Sequence, residues 1–331
     1  MKRLMLCLFL IGCLTLSAAH AEVTTIFDRD FFVSTGIWSD ENQLGPQTFT
    51  AAASGNSVWT VLYRDNAIWR WDADTGNYEY VATVPMAEMT EKSLSRLSAS
   101  EREYQMTSVT DLIGADGKLY AFNALSGRLG LIDGEGVHWN EAMIDTAPAL
   151  KPDTGYPSCH FYPTIIGDSL YMLCDLALMF GGNGYRPALV RCKMDGTSAQ
   201  GDVISGLISL CRYDDTRLLF LTMTGLELYD TSTARATPLP LELPATIPQS
   251  GDFWDVHSAL GGLAYDPASD AIFLATPTAL YTSTAGGEFV ARETDLNWQS
   301  ALEYAQPAAV LDNGTYVLYG DGLDTYIFPL E

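Results

Sequence analysis

Three of the chain's four histidines, His138, His160 and His257, stand in short clusters of aromatic and polar residues. The clusters read Glu103-Tyr104, His138-Trp139-Asn140-Glu141, Cys159-His160-Phe161-Tyr162, Asp252-Phe253-Trp254-Asp255-Val256-His257, and Asn297-Trp298 with Glu303-Tyr304. Rings beside carboxylates suit a sugar or a peptide, because an apolar face needs a few oriented polar partners. Paired carboxylates such as Asp252/Asp255 or Glu141/Asp145 could exchange protons with a glycosidic bond. Three histidines from separate loops could converge on a metal, but spacing alone does not bring them together. The candidate ligand-binding residues are therefore Tyr104, His138, Trp139, His160, Asp252, Trp254, Asp255, His257 and Trp298, with Asp252–His257 foremost. No residue is assigned a catalytic role. Neither a metal nor a cofactor is called for, since GxSxG, HExxH and P-loop patterns are all missing from the chain. The same tryptophans and tyrosines also fit a plainer task, packing one sheet against the next.

The elements that must position these residues are strands. Between Ser57 and Val84 lie three short runs rich in β-branched and aromatic residues, separated by Asp65-Asn66 and by Asp72–Gly76. Asp72-x-Asp-x-Gly-Asn has half the form of a calcium loop but lacks its downstream bidentate Glu, so it reads as a hairpin turn. The pattern returns with turns anchored at Asp65, Asp116, Asp168, Asp215, Asp270 and Asn313, which are 43 to 55 residues apart. Strand groups at a period near ~50 residues indicate propeller blades. The expected fold is all-β, a six-bladed β-propeller, with a seven-bladed ring as the alternative. The last repeat offers only three strands, so Val23–Phe27 is expected to complete it beside Thr325–Phe328, leaving no open edge. Met86–Tyr104 is charged and partly striped, and reads as a helical or irregular insertion between blades.

Lys2-Arg3, the apolar run Leu4–Leu16 and Ala19-His20-Ala21 form a secretory signal. The expected division is 1–21 as signal peptide and 22–331 as a single propeller domain, exported to the periplasm or beyond. Leu10-Ile11-Gly12-Cys13 allows a second reading, a lipid anchor on Cys13. Beyond the signal no apolar run is long enough to span a bilayer as a helix. A formal charge of −23 repels phosphate backbones and anionic headgroups, which excludes nucleic acid and membrane surfaces as partners. The acidity also suits a soluble surface. After the signal, Cys159, Cys174, Cys192 and Cys211 remain, an even number compatible with disulfides. A hairpin centred near Asn183 would set Cys174 opposite Cys192, which makes that pair the candidate bond.

Trp71-Asp72-Ala73-Asp74-Thr75-Gly76 and Leu119–Arg128 resemble the repeat of PQQ-like, quinoprotein-type β-propellers. The resemblance covers two of about six repeats. Dehydrogenases of that family use adjacent cysteines and a calcium-bound quinone, and this chain has no adjacent cysteines. Non-catalytic members serve as exported scaffolds. With that scaffold role and the propeller architecture, the expectation is a non-enzymatic, monomeric module that binds a protein, peptide or glycan through its loop-rich face, accessory to an envelope or nutrient-uptake system. A glycan-active enzyme with its site in the axial funnel is the alternative.

Overall fold

The computed structural model describes residues 24–36, 48–62, 67–84, 109, 111–123, 128–140, 160–175, 186–245, 247, 262–276, 279–284, 287–292, 308–319 and 325–329. These form six antiparallel four-stranded sheets, the blades of a propeller. Blade one is β2 (Thr48–Ser54), β3 (Ser57–Leu62), β4 (Ala67–Asp72) and β5 (Tyr78–Thr83). Blade two is β6 (Asp111–Ala115), β7 (Lys118–Asn123), β8 (Arg128–Asp133) and β9 (Gly136–Trp139). Blade three is β10 (His160–Ile166), β11 (Ser169–Asp175), β12 (Pro187–Lys193) and β13 (Gln200–Val203). Blade four is β14 (Leu207–Arg212), β15 (Arg217–Thr222), β16 (Gly225–Asp230) and β17 (Arg235–Pro238). Blade five is β18 (Gly262–Asp266), β19 (Ala271–Thr276), β20 (Ala279–Thr284) and β21 (Val290–Arg292). Blade six is β22 (Ala308–Val310), β23 (Thr315–Tyr319), β24 (Thr325–Pro329) and, from the other end of the chain, β1 (Thr24–Ile26). The first strand of each blade touches its counterparts in the two neighbouring blades, all the way round the ring.

Closure by the N-terminal strand is found as expected: Thr24 pairs with Ile327, Thr25 with Tyr326 and Ile26 with Thr325. The strand is followed by a short helix, α1 (Arg29–Ser34), where the sequence suggested only a second apolar run. Its cause is local. The Asp28 side chain accepts a hydrogen bond from the Phe31 amide at 2.9 Å, an N-cap, and Thr35 Oγ1 returns one to the Phe31 carbonyl at 2.9 Å. Ile26, Phe27, Phe31 and Phe32 are buried against Val58, Leu62 and Trp71 of blade one and Leu311 and Val317 of blade six. The N-terminal segment therefore both completes a sheet and fills the seam where the ring closes.

Blade one corrects the repeat register. Ser57–Leu62 is the second strand of its blade, so Asp65 falls in the second connection, outside the described residues, while Gly55-Asn56 makes the first turn. The other five anchors do lie in first hairpins. The missing strand, TFTAAAS, escaped notice because it carries almost no apolar alternation. Near the axis there is little room for side chains. A Cβ built on Gly114 of β6 would lie 2.0 Å from the Ala53 carbonyl oxygen of β2.

The expected Cys174–Cys192 disulfide does not form. In the β11–β12 hairpin Cys174 faces Ala188 and Cys192 faces Leu170, so the two stand four positions out of register. That offset is about 13 Å of strand, far beyond the reach of an S–S bond. Both side chains instead pack into the apolar layer between blades two and three. Burial pushes the Cys192 thiol up to about 12. Cys159 and the Met86–Tyr104 insertion lie outside the described residues.

The turns on the far side from the strand starts share one device, an aspartate accepting from residues two or three positions ahead. Asp72 accepts from the Thr75 amide and hydroxyl, Asp195 from Thr197, and Asp266 from Ala268 and Ser269. Asp230 is the fullest case. Its Oδ1 accepts from the Ser232 hydroxyl at 2.6 Å, the Thr233 amide at 2.8 Å and the Thr233 hydroxyl at 3.0 Å. These bonds, the Ser232 hydroxyl foremost, hold its carboxyl down at about 2, below the 3.8 of an unperturbed group.

Two outcomes follow. Because the folded value of Asp230 is depressed, its contribution is complete above the unfolded value and disappears as pH falls toward about 2. Thermal midpoints of wild type and Asp230→Asn should differ at pH 5 and converge by pH 2; a gap that does not change with pH contradicts this. Gly114→Ala should lower stability by about 3 kcal/mol in urea unfolding, since backbone must move to admit the methyl group. Gly134→Ala, which meets nothing within 4 Å, should stay within about 0.5 kcal/mol of wild type.

Candidate functional site

Six strands that meet around an axis enclose a cavity. Here its volume is about 520 Å³, and every one of the six innermost strands contributes to its wall. Much of that wall is small or apolar: Ala51–Ala53, Gly114, Ala264 and Ala308-Ala309. Polar groups enter at a few places, among them Thr50, Asp111, Thr164, Arg212, Tyr213 and Tyr265. Thr50 is committed to structure: its Oγ1 accepts from the Leu112 amide at 3.1 Å, tying blade one to blade two.

Tyr162, at the middle of β10, has a φ of 54°. The β10–β11 register slips between Phe161 and Thr164, so Tyr162 and Pro163 form a bulge on the cavity wall. β2 and β14 carry similar slips near their own starts, between Thr48 and Thr50 and between Leu207 and Ser209. Bulges of this kind re-aim side chains and gather near sites and barrel rims. The Tyr162 ring is buried between blades three and four, and burial raises its phenol far above the ordinary value despite a hydrogen bond with Ser209.

The two mouths of the cavity differ. At the end where the inner strands finish lies a dense polar network. Arg212 contacts Asp116 and Asp215, each at 2.7 Å. Burial alone would lower the Arg212 guanidinium, but the two carboxylates outweigh it and hold its value above the ordinary one. Arg217 pairs with Asp214 at 2.6 Å and lies 4.8 Å above the Tyr213 ring. Tyr213 stacks on Tyr265 with centroids 4.1 Å apart, and the Tyr265 hydroxyl donates to Asp270 at 2.8 Å. Both arginines of this network are answered by carboxylates, and Asp270 by a phenol, so it suits architecture better than proton transfer. At the opposite mouth Asp111 opens β6, and the first residues of the other inner strands surround it.

The sequence candidates distribute unevenly over this geometry. His138 and Trp139 lie on β9, the outermost strand of blade two, and not on the cavity wall. His138 Nε2 meets Asp133 Oδ1 at 3.0 Å, and that bond, with the Glu135 amide foremost, keeps the Asp133 carboxyl low. Trp139 packs against the apolar layer between blades one and two. His160 is the first residue of β10, opposite Cys174 in register. Tyr104, Asp252, Trp254, Asp255, His257 and Trp298 lie outside the described residues. Sequence reasoning missed Asp111, Arg212 and Tyr265, and placed Tyr162 in a candidate cluster without selecting it. For Arg212 and Tyr265 a signal existed, a charged or phenolic residue ending an inner strand just before its turn, but the blade register was needed to read it. Among the described residues no group of three or more His, Cys, Asp or Glu is placed to hold a metal ion, and no helix among them is long and apolar enough to cross a membrane.

No family model and no curated protein sequence matches the chain. Solved structures do. A virginiamycin B lyase from Staphylococcus aureus is 11% identical, with a TM-score of 0.50 over 94% of this chain and 99% of that one. A streptogramin B lyase is 12% identical, with a TM-score of 0.50 over 96% of this chain and 100% of that one. A gluconolactonase from Xanthomonas campestris is 10% identical, with a TM-score of 0.53 over 96% of this chain and 94% of that one. At such identities the likeness establishes the fold. It also overturns the expectation of a non-enzymatic binding module: whole-length neighbours of this wheel are a lactonase and two lyases, and the PQQ-like resemblance, which suggested a scaffold, finds no family model behind it.

Proposed function

We propose that the chain is an exported enzyme that transforms a small carbohydrate-type molecule, a sugar lactone or a short glycan, in its axial cavity. The observation that carries this reading is the cavity itself. A space of about 520 Å³ walled by all six inner strands is of the size that small-molecule sites take, mostly apolar with a few placed polar groups. The gluconolactonase's name supplies the lactone class as a starting point for substrates.

Asp111, on the cavity wall at the mouth where the inner strands begin, is the carboxylate we assign as general base. It would take a proton from the water that attacks the carbonyl or anomeric carbon. In the sequence Tyr104 stands seven residues before Asp111, His257 five before Gly262, and Trp298 ten before Ala308. In this reading they, His160, Asp252, Trp254 and Asp255 supply stacking and orientation at that same mouth. Export through the signal at 1–21, or anchoring at Cys13, belongs to the proposal too. The quinoprotein-type likeness is kept as a description of hairpin shape at Trp71–Gly76.

The test is turnover. Residues 22–331 would be assayed against a panel of sugar lactones by proton release and against oligosaccharides by product analysis. One class should be turned over, and Asp111→Asn should lose about a hundredfold or more in kcat/KM. Binding without turnover across both classes, or an Asp111→Asn variant as active as wild type, would overturn the reading.

A further inference from the structure

We propose that Arg212 bars the mouth of the axial cavity at which the inner strands end, so that ligands do not pass through that end. Arg212 ends β14 in blade four, and Asp116 sits in the first turn of blade two. Blade three lies between them in the ring. A 2.7 Å contact from Arg212 Nη1 to Asp116 Oδ1 therefore spans two non-neighbouring blades at the end of the cavity. The other arm of the guanidinium, Nη2, is fixed by Asp215 Oδ1 at 2.7 Å. The planar fork is thus held at both ends, which fixes its orientation as well as its position.

Exposure shows which way the network faces. The Arg212 side chain is 29% exposed, while that of Asp215 is 91% exposed, so the cation is lodged in the opening with a carboxylate on its solvent side. Arg212 and Asp215 both belong to the cavity wall. The stacked Tyr213 and Tyr265 rings narrow the same end from blades four and five, and Arg217 covers Tyr213 from above. Ion pairs whose carboxylates are 54% and 91% exposed contribute little to stability, and the ring is already sealed by β1 and α1 at the seam between blades six and one. What the span does contribute is steric: a bar across an opening.

The consequence for ligand traffic rests on the axial-cavity reading of function, but closure itself can be measured without any ligand. Cys211, next to Arg212 and on the cavity wall, is a built-in reporter. The full chain would be treated with methyl methanethiosulfonate under native conditions and labelling read by peptide mass. Arg212→Ala and Asp116→Gly should each label Cys211 about tenfold faster than wild type, since burial holds the Cys211 thiol up at about 12 and opening the mouth relieves that burial. Asp215→Asn leaves the cross-ring arm in place and should label near the wild-type rate. Cys192, fully buried between blades, serves as the internal control. Unchanged Cys211 labelling in Asp116→Gly, which suits the φ of 51° there and removes the cross-ring contact without removing Arg212, overturns the proposal. So does a rise at Cys211 matched by an equal rise at Cys192, which reports general loosening. Missing turnover of lactones and glycans with the labelling pattern intact would sink the enzymatic reading alone.

Discussion

Six strands must pass close to one line, and the room left there governs the rest of the molecule. Strands within a blade are spaced by hydrogen bonding, but the inner strands of neighbouring blades meet side by side with nothing between them except their own side chains. Where Gly114 of blade two meets Ala53 of blade one, even a methyl group would strike the facing carbonyl oxygen. Small residues therefore collect at the centre, and large ones farther out. The leucines and the phenylalanine of β15 and the isoleucine and phenylalanine of β19 are almost wholly buried between blades. A cavity at the axis follows from the same geometry, because strands cannot converge completely without clashing. The wall is shaped first by packing and only secondarily by any ligand.

A ring has a second requirement: its two ends must be joined. Here three residue pairs between β1 and β24 provide the joint. Three pairs are few, and the helix that follows makes up the difference by burying Phe31 and Phe32 in the seam. Phe31 meets Tyr78 and Trp69 of blade one, with ring centroids 4.5 and 5.2 Å away. The chain's beginning thus binds both its last blade and its first. The hydrogen bonds set the register, and the aromatic rings supply the buried surface that a short strand lacks.

This division between hydrogen-bond pattern and packing explains what could be read from the sequence. Middle strands such as β3, β11 and β15 are buried on both faces, so they appear as unbroken runs of apolar residues and gave the blade count and the closing strand. Inner strands are a different case. TFTAAAS in β2 has little hydrophobic signal because the axis demands small residues, and its omission moved the repeat of blade one by a strand. The Cys174–Cys192 pairing failed for a related reason: the side-chain pattern of β11 and β12 is the same for registers two residues apart, so only the hairpin geometry distinguishes them. The site was less legible still. Arg212 and Asp116 are far apart in sequence and belong to blades that do not touch in order. Nothing in local pattern announces a contact made across a ring. His138 and Trp139 looked like a ligand cluster, yet their place on an outermost strand gives them a neighbour's aspartate and an inter-blade layer as partners.

The distribution of charge separates the two faces of the wheel further. With 41 acidic and 18 basic residues, most carboxylates cannot find a cation. On the face where inner strands end, the turns dispose of them locally. Asp72, Asp195, Asp214, Asp230 and Asp266 take amides and hydroxyls from residues just ahead, and three cations there are held by aspartates, Arg217 by Asp214 itself, Arg212 by Asp116 and Asp215, and Lys193 by Asp168. A carboxylate that accepts several such bonds is a poor base, because protonating it breaks them. The acidity that looked like a possible binding feature is, on this face, the material from which tight turns are built. These aspartates therefore serve as turn builders rather than as proton-transfer groups.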